Sequence, residues 1–129
     1  MKRILIVEDN RLERKILSHT IREAFQQEVF IDEAADGSIG LENLQKVDYD
    51  MVITDIIMPR IEGLELIRRV KESYPRCKIV AISGSNPYYL YLAKKMGIEG
   101  VFTKPFDKIR LIDILSTSLG IQPNQKISA

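Results

Sequence analysis

Cysteine is nearly absent from these 129 residues: Cys77 stands alone. No internal disulfide can form and no thiolate metal cluster can be built, so a reducing, cytoplasmic setting is the expectation. Cys77 itself, just before an apolar run, reads as a small apolar filler. Histidine is as scarce. His19 lies off the main apolar stripe of its helical segment with no phosphotransfer motif around it, and reads as a solvated helix edge. An excess of charge of one sign is missing as well. With 19 basic and 18 acidic side chains the net charge is +1, which argues against nucleic acid or an anionic membrane as a bulk electrostatic partner. Long apolar runs are lacking. The basic start at Lys2 and Arg3 leads into a run that soon meets Glu8, too short for a signal sequence or a membrane span. No repeat, low-complexity tract or internal linker interrupts the chain, so one domain over residues 1–120 is expected, followed by a short polar tail at 121–129.

What the chain does have is hydrophobic residues, 45% of the total, in short runs. Strands are expected at 4–7, 29–34, 51–54, 78–82 and 101–102. Most are nearly continuous and rich in branched residues, as in a sheet covered on both faces. The second is broken by Asp32 and Glu33, which suits an outer strand. Between the runs the spacing is helical: Leu12, Ile16, Thr20 and Ala24, then Leu41 and Leu44, then Leu64, Ile67 and Val70, then Ile112, Leu115 and Leu119. Asn10, Asp36 and Asp107 are placed to cap helices, Asn86-Pro87 puts proline at a first helical position, and Gly97 and Gly120 sit where helices would stop. The alternation βαβαβαβαβα implies a parallel sheet with helices on both faces.

Ligands of such sheets bind beyond the carboxyl ends of the strands. There stand Glu8 and Asp9 after the first strand, Asp55 after the third, Ser83 after the fourth and Lys104, before Pro105, after the fifth. Singly, each has an ordinary reading as a cap, a turn residue or a solvated side chain. Together, three oxygen-bearing acids without histidine or cysteine suit a hard divalent cation, best magnesium. A lysine and a hydroxyl can meet a phosphoryl group, and a carboxylate can attack phosphorus.

These motifs resemble the receiver domain of response regulators, the phospho-accepting part of two-component signalling. "ILIVEDN" is similar to the family's acidic pair, "VITDIIMPRIEG" to its acceptor loop, "VAISGS" to its hydroxyl strand end and "TKPF" to its lysine-proline loop. "AADGSIGLENL" and "AKKMGIEG" match further segments, and the resemblance covers about residues 2–119. It implies a flavodoxin-like, doubly wound (βα)5 fold with a five-stranded parallel sheet in the order 2-1-3-4-5. It implies that Asp55 accepts phosphate from a phosphohistidine on a sensor histidine kinase or a histidine phosphotransfer protein. Glu8, Asp9, Asp55 and the backbone carbonyl of Ile57 would bind Mg2+, Ser83 and Lys104 would hold the phosphate, and Lys104-Pro105 would be cis. Such a domain is not a separate turnover enzyme, but catalyses its own phosphoryl transfer and slow autodephosphorylation. The sequence departs from the family pattern at Val101, where an aromatic is usual, at the apolar Ile57, at Arg60 and at Gly40.

A flavin carrier shares this winding, but "EDNRLER" has no glycine to cradle a phosphate. A haloacid-dehalogenase-type phosphatase would need a second Asp where Ile57 stands. The alternative that survives is a receiver-like interaction module not controlled by phosphorylation. Helical spacing after Asn86 turns Ala93, Met96, Tyr89 and Leu92 toward the sheet and leaves Tyr88, Tyr91 and Lys95 outside, a candidate surface for a downstream protein or for self-dimerisation. No effector domain is read beyond Leu119, and neither nucleic-acid contact nor membrane contact is expected of this domain.

Overall fold

The computed structural model describes residues 1–84 and 86–124. The chain runs β1 (Lys2–Val7), α1 (Arg11–Phe25), a short 3-10 turn (Gln26–Glu28), β2 (Val29–Ala34), α2 (Gly37–Lys46), β3 (Met51–Asp55), α3 (Gly63–Ser73), β4 (Lys78–Ser83), α4 (Pro87–Lys95), β5 (Gly100–Thr103) and α5 (Lys108–Leu119). The five strands form one parallel sheet in the order β2-β1-β3-β4-β5. As expected, β2 is an edge strand. Its Asp32 accepts the Tyr49 hydroxyl at 2.6 Å, and its Glu33 meets both Arg14 and Lys15 at 3.2 Å.

The continuous apolar runs serve two cores at once, because successive strand side chains point to opposite faces. Ile4, Ile6, Met51, Ile53, Val80 and Ile82 face α1 and α5, where Leu17, Ile21, Phe25, Leu111 and Leu115 complete one cluster. Leu5, Val7, Val52, Ile79 and Ala81 face the other way, onto Leu44 of α2, Leu66, Ile67 and Val70 of α3, and Leu90 and Ala93 of α4. Each such side chain, fully buried, contributes roughly 1.5–3 kcal/mol.

The caps form where the sequence places them. Asn10, Asp36 and Asp107 each accept a backbone N–H from three residues on, and Pro87 opens α4 behind the Asn86 cap. Gly120 closes α5 at φ 67°, a left-handed conformation that glycine adopts without strain. His19 lies exposed against Glu23 at 2.9 Å. Cys77 packs against the second core, and burial pushes its thiol up to about 12, so it stays protonated and inert.

The apolar stripe expected on α1 is corrected. Leu12 and Ile16 are 69% and 50% exposed, and the buried residues are Leu17, Ser18, Ile21, Ala24 and Phe25. Steps of four overshoot a 3.6-residue turn, so Leu12, Ile16, Thr20 and Ala24 wind around the helix and only Ala24 reaches the core. At the far end Ile121 packs into the first core, and the Asn124 N–H donates to the Ala24 carbonyl at 2.6 Å. The rest of the expected tail, 125–129, lies outside the described residues. Among the described residues no helix is long and apolar enough to cross a membrane.

Candidate functional site

Strand register builds the site. Val7 of β1 pairs with Thr54 of β3, so Glu8 and Asp55 leave adjacent strands side by side. Asp55 pairs with Ile82, which places Ser83 one residue further along β4, and Ser83 pairs with Thr103, after which Lys104 leaves β5. The Lys104 N–H extends this ladder by donating to the Ser83 carbonyl at 3.0 Å. The Lys104-Pro105 bond is cis. Behind Asp55 the chain turns closely into α3. The Gly63 N–H donates to the Ile56 carbonyl at 2.7 Å, and a Cβ at Gly63 would overlap the Asp55 carbonyl oxygen.

Three carboxylates scattered along the chain thus meet at one ammonium. Lys104 Nζ donates to Asp55 Oδ2 at 2.9 Å, to Glu8 Oε1 at 2.6 Å and to Glu13 Oε2 at 2.9 Å. The other oxygen of Asp55, Oδ1, accepts the Ile56 N–H at 2.7 Å and faces the Ile57 N–H at 3.4 Å. Glu8 Oε2 accepts the Asn10 N–H at 3.0 Å. Glu8, Asp55 and Ser83 are buried, whereas Asp9 and Ile57 are exposed at the rim. One carboxylate oxygen from each of Glu8, Asp9 and Asp55 can be chosen so that all three lie within 4.8 Å of one another.

The electrostatics follow from this crowding. Burial pushes the Glu8 carboxyl up to about 7, against the opposing pull of Lys104 and the Asn10 N–H, and the Asp55 charge adds to the rise. Burial also works against the Lys104 ammonium, but its bonds to Glu8, Glu13 and Asp55 outweigh that and hold it above the ordinary lysine range. The gathered acids exceed the one positive charge at their centre. Their donors are all hard oxygens, so the set fits a divalent cation of the magnesium class. Beside the acids opens a cavity of about 320 Å³ whose walls include Ile16, Leu17, Ile53 and Phe106, with Glu13, Asp55 and Lys104 at its polar end.

The structure brings together every strand-end residue singled out in the sequence: Glu8, Asp9, Asp55, Ser83 and Lys104. It adds Glu13, which sequence reasoning missed. Glu13 is the third residue of α1, capped by Asn10, and this first turn springs directly from the acidic pair. Tyr88, Tyr91 and Lys95 are not in the site. They share the outer side of α4, where the two tyrosine rings stack with centroids 6.3 Å apart and Lys95 Nζ sits 5.3 Å over Tyr91. Tyr88 and Tyr91 are 58% and 54% exposed; Ala93 is buried and Tyr89 and Met96 pack against the second core as expected, but Leu92 is only half-buried and Leu90 takes the core place expected of it. Phe102, beside Val101, is fully buried under the Arg110 guanidinium at 4.2 Å.

Residues 4–116 match the family model described as the response regulator receiver domain. The chemotaxis protein CheY of Halobacterium salinarum is 31% identical over 92% of this chain and 97% of its own length. The response regulator ArlR of Staphylococcus saprophyticus is 28% identical over 98% of this chain, which spans 56% of that protein. Among solved structures, the response regulator TrrA of Thermotoga maritima, in complex with Mg(2+)-BeF, aligns with a TM-score of 0.80 at 29% identity, covering 92% of this chain and 99% of that one.

Proposed function

Because this chain belongs to the response regulator receiver domain family of two-component signalling, we propose that it is a switch thrown by phosphorylation of Asp55. Phosphorylation-based switching is typical of the family, and receiver domains interact with histidine kinases and downstream effectors; they are not separate turnover enzymes. The observation that carries the reading is the buried Asp55 carboxylate, held at 2.9 Å by the Lys104 ammonium with the oxygens of Glu8 and Asp9 alongside.

In the proposed reaction an oxygen of Asp55 attacks the phosphorus of a phosphohistidine on a sensor kinase or a histidine phosphotransfer protein. The new O–P bond forms as the N–P bond breaks, and the electron pair returns to the imidazole nitrogen, which takes a proton from solvent. Lys104 Nζ, already on Asp55 Oδ2, follows the charge onto a phosphoryl oxygen. The Ile56 N–H holds the other carboxylate oxygen and fixes the direction of attack. The Ser83 hydroxyl, at the adjacent strand end, hydrogen-bonds a second phosphoryl oxygen. Glu8, Asp9, Asp55 and the Ile57 carbonyl would hold Mg2+, which would supply Lewis-acid neutralisation of the phosphoryl charge; the Mg(2+)-BeF complex of the Thermotoga relative supports this choice of ion. The exposed side chain of Ile57 offers no polar atom to orient water, so the acyl phosphate hydrolyses slowly. The cytoplasm is the proposed setting.

The output surface proposed is the face of α4, β5 and α5, with Tyr88, Tyr91 and Lys95 as its aromatic and cationic contacts for a downstream protein or a second copy. The β4–α4 connection joins the Ser83 strand end to this helix directly. The double variant Tyr88→Ala, Tyr91→Ala should leave phosphorylation intact and weaken association of the phosphorylated protein in sedimentation.

The central test treats the protein with phosphoramidate and magnesium and follows intact mass. One phosphoryl group should add to the parent and none to Asp55→Asn, and chelation should abolish the addition. Equal labelling of Asp55→Asn at the same site and rate would remove Asp55 from the role. Ile57→Asn should then shorten the lifetime of the phosphorylated form.

A further inference from the structure

Glu13 is the residue whose position the reaction above does not use. Its carboxylate reaches the Lys104 ammonium at 2.9 Å, on the same nitrogen that serves Asp55 and Glu8, and it lines the same cavity as Asp55. It is neither buried nor spent on its helix: Asn10, not Glu13, caps α1, and the Glu13 side chain is 45% exposed. The nearby Arg14 does not neutralise it, since that guanidinium is turned to Glu33 at 3.2 Å and to the Glu8 carbonyl at 2.8 Å. An anion approaching Asp55 from the cavity side therefore meets the Glu13 charge near the one ammonium that is to receive it.

We propose that Glu13 is a specificity-determining positioning residue for the phosphodonor, a fixed negative charge that competes for Lys104 and repels small free phosphoanions from Asp55. Two effects act in the same direction. The ammonium has to give up Glu13 to follow the phosphoryl group, and the carboxylate raises the electrostatic cost of bringing a dianion to the site. A protein donor offsets that cost with contacts made elsewhere on its surface, and a small molecule has none. Glu13 thus favours transfer from a docked protein over transfer from free metabolic acyl phosphates. This inference rests on the assignment of Asp55 as acceptor.

The experiment compares the parent with Glu13→Gln and Glu13→Asp, using acetyl phosphate and the less charged phosphoramidate in magnesium, with intact mass as the readout. In each transfer an Asp55 oxygen displaces acetate by breaking the P–O bond, or ammonia, which leaves with a proton from solvent, by breaking P–N. Glu13→Gln keeps the length and hydrogen-bonding capacity of the side chain. It should speed labelling by acetyl phosphate about five-fold at low ionic strength and labelling by phosphoramidate about two-fold. The gain should shrink toward unity in 1 M salt, and Glu13→Asp, which restores the charge, should return the rate to near that of the parent. A structural role alone would move neither the salt dependence nor the ranking of donors. Labelling of the parent at Asp55 with Glu13→Gln unchanged, or changed equally at all salt concentrations, would overturn the role of Glu13 and leave the acceptor assignment standing. Failure of every variant to take phosphate from either donor would overturn both.

Discussion

The two ends of the sheet use the same side chain for opposite purposes. At the amino ends, acids are paired one to one with backbone. The Arg3 N–H donates to Asp50 Oδ2 at 2.8 Å, and the Asp50 N–H donates back to the Arg3 carbonyl at 2.8 Å. The Ile79 N–H donates to Glu99 Oε1 at 2.7 Å, and the Glu99 N–H returns to the Ile79 carbonyl at 2.9 Å. Each of these carboxylates satisfies a strand-start donor within its own neighbourhood. At the carboxyl ends, Glu8, Glu13 and Asp55 share a single ammonium, and Asp9 adds a further acid beside them. An acid that answers a local donor stabilises a fold. Acids gathered around too little positive charge cost stability until a further cation joins them.

That contrast can be broken most forcefully at its centre. Lys104→Met removes the one ammonium and leaves buried carboxylates facing one another; it should cost about 3 kcal/mol in urea unfolding at pH 8 with a chelator present. The loss should shrink toward pH 6 as Glu8 takes up a proton, and a loss that ignores pH would count against crowding as its cause. The next largest effect is the pH dependence carried by Glu8. Its folded carboxyl titrates at about 7 and its ordinary value is 4.5. The folded state therefore binds the proton more tightly, and the stability this supplies is complete below pH 4.5 and lost as pH rises through 7. Unfolding free energies of the parent, minus those of Glu8→Gln, should fall by about 3 kcal/mol between pH 4.5 and 8 in metal-free buffer. A flat or rising difference would contradict it, and magnesium should remove the decline, because a cation favours the ionised acid.

Smaller changes sharpen the comparison by sign. Asp55→Asn takes one charge from the crowded end and should raise stability by about 1 kcal/mol at pH 8 without metal, measured by thermal melts. Asp50→Ala at the other end should lower it, by about 0.5–1 kcal/mol, since an N–H loses its acceptor at a partly hydrated edge. The Asp50 effect should be the same with and without magnesium. If both substitutions moved stability in one direction, the distinction between the two edges would fall.

Much of this was legible in the chain. The apolar runs, the caps at Asn10, Asp36 and Asp107, and the strand-end acids, hydroxyl and lysine are local signals, and alternation of elements brings strand ends to one edge without knowledge of any contact. Two things were not local. The buried side of α1 depends on how the helix is turned against the sheet, and Leu12 and Ile16, apolar and four apart, pointed to the wrong side. Glu13 reads as an ordinary first-turn acid; only the arrival of Lys104 from β5 shows that its carboxylate belongs to the site. The stacking of Tyr88 on Tyr91 was half visible, since helical spacing gave a shared side but not the ring geometry.

The Lys104 contacts also order events in time. They close chain separations of 96, 91 and 49 residues, to Glu8, Glu13 and Asp55 in turn, and they require β5, the edge strand opposite β2, to dock on β4. Contacts that span so much sequence carry a large loop-closure entropy and form once shorter-range pairings have already brought their ends near. A growing chain therefore has its acids some fifty residues before it has their counter-charge. Until β5 arrives, the Glu8 and Asp55 charges have no ammonium to offset their repulsion, so the acidic pocket is expected to be among the last parts of the molecule to take shape.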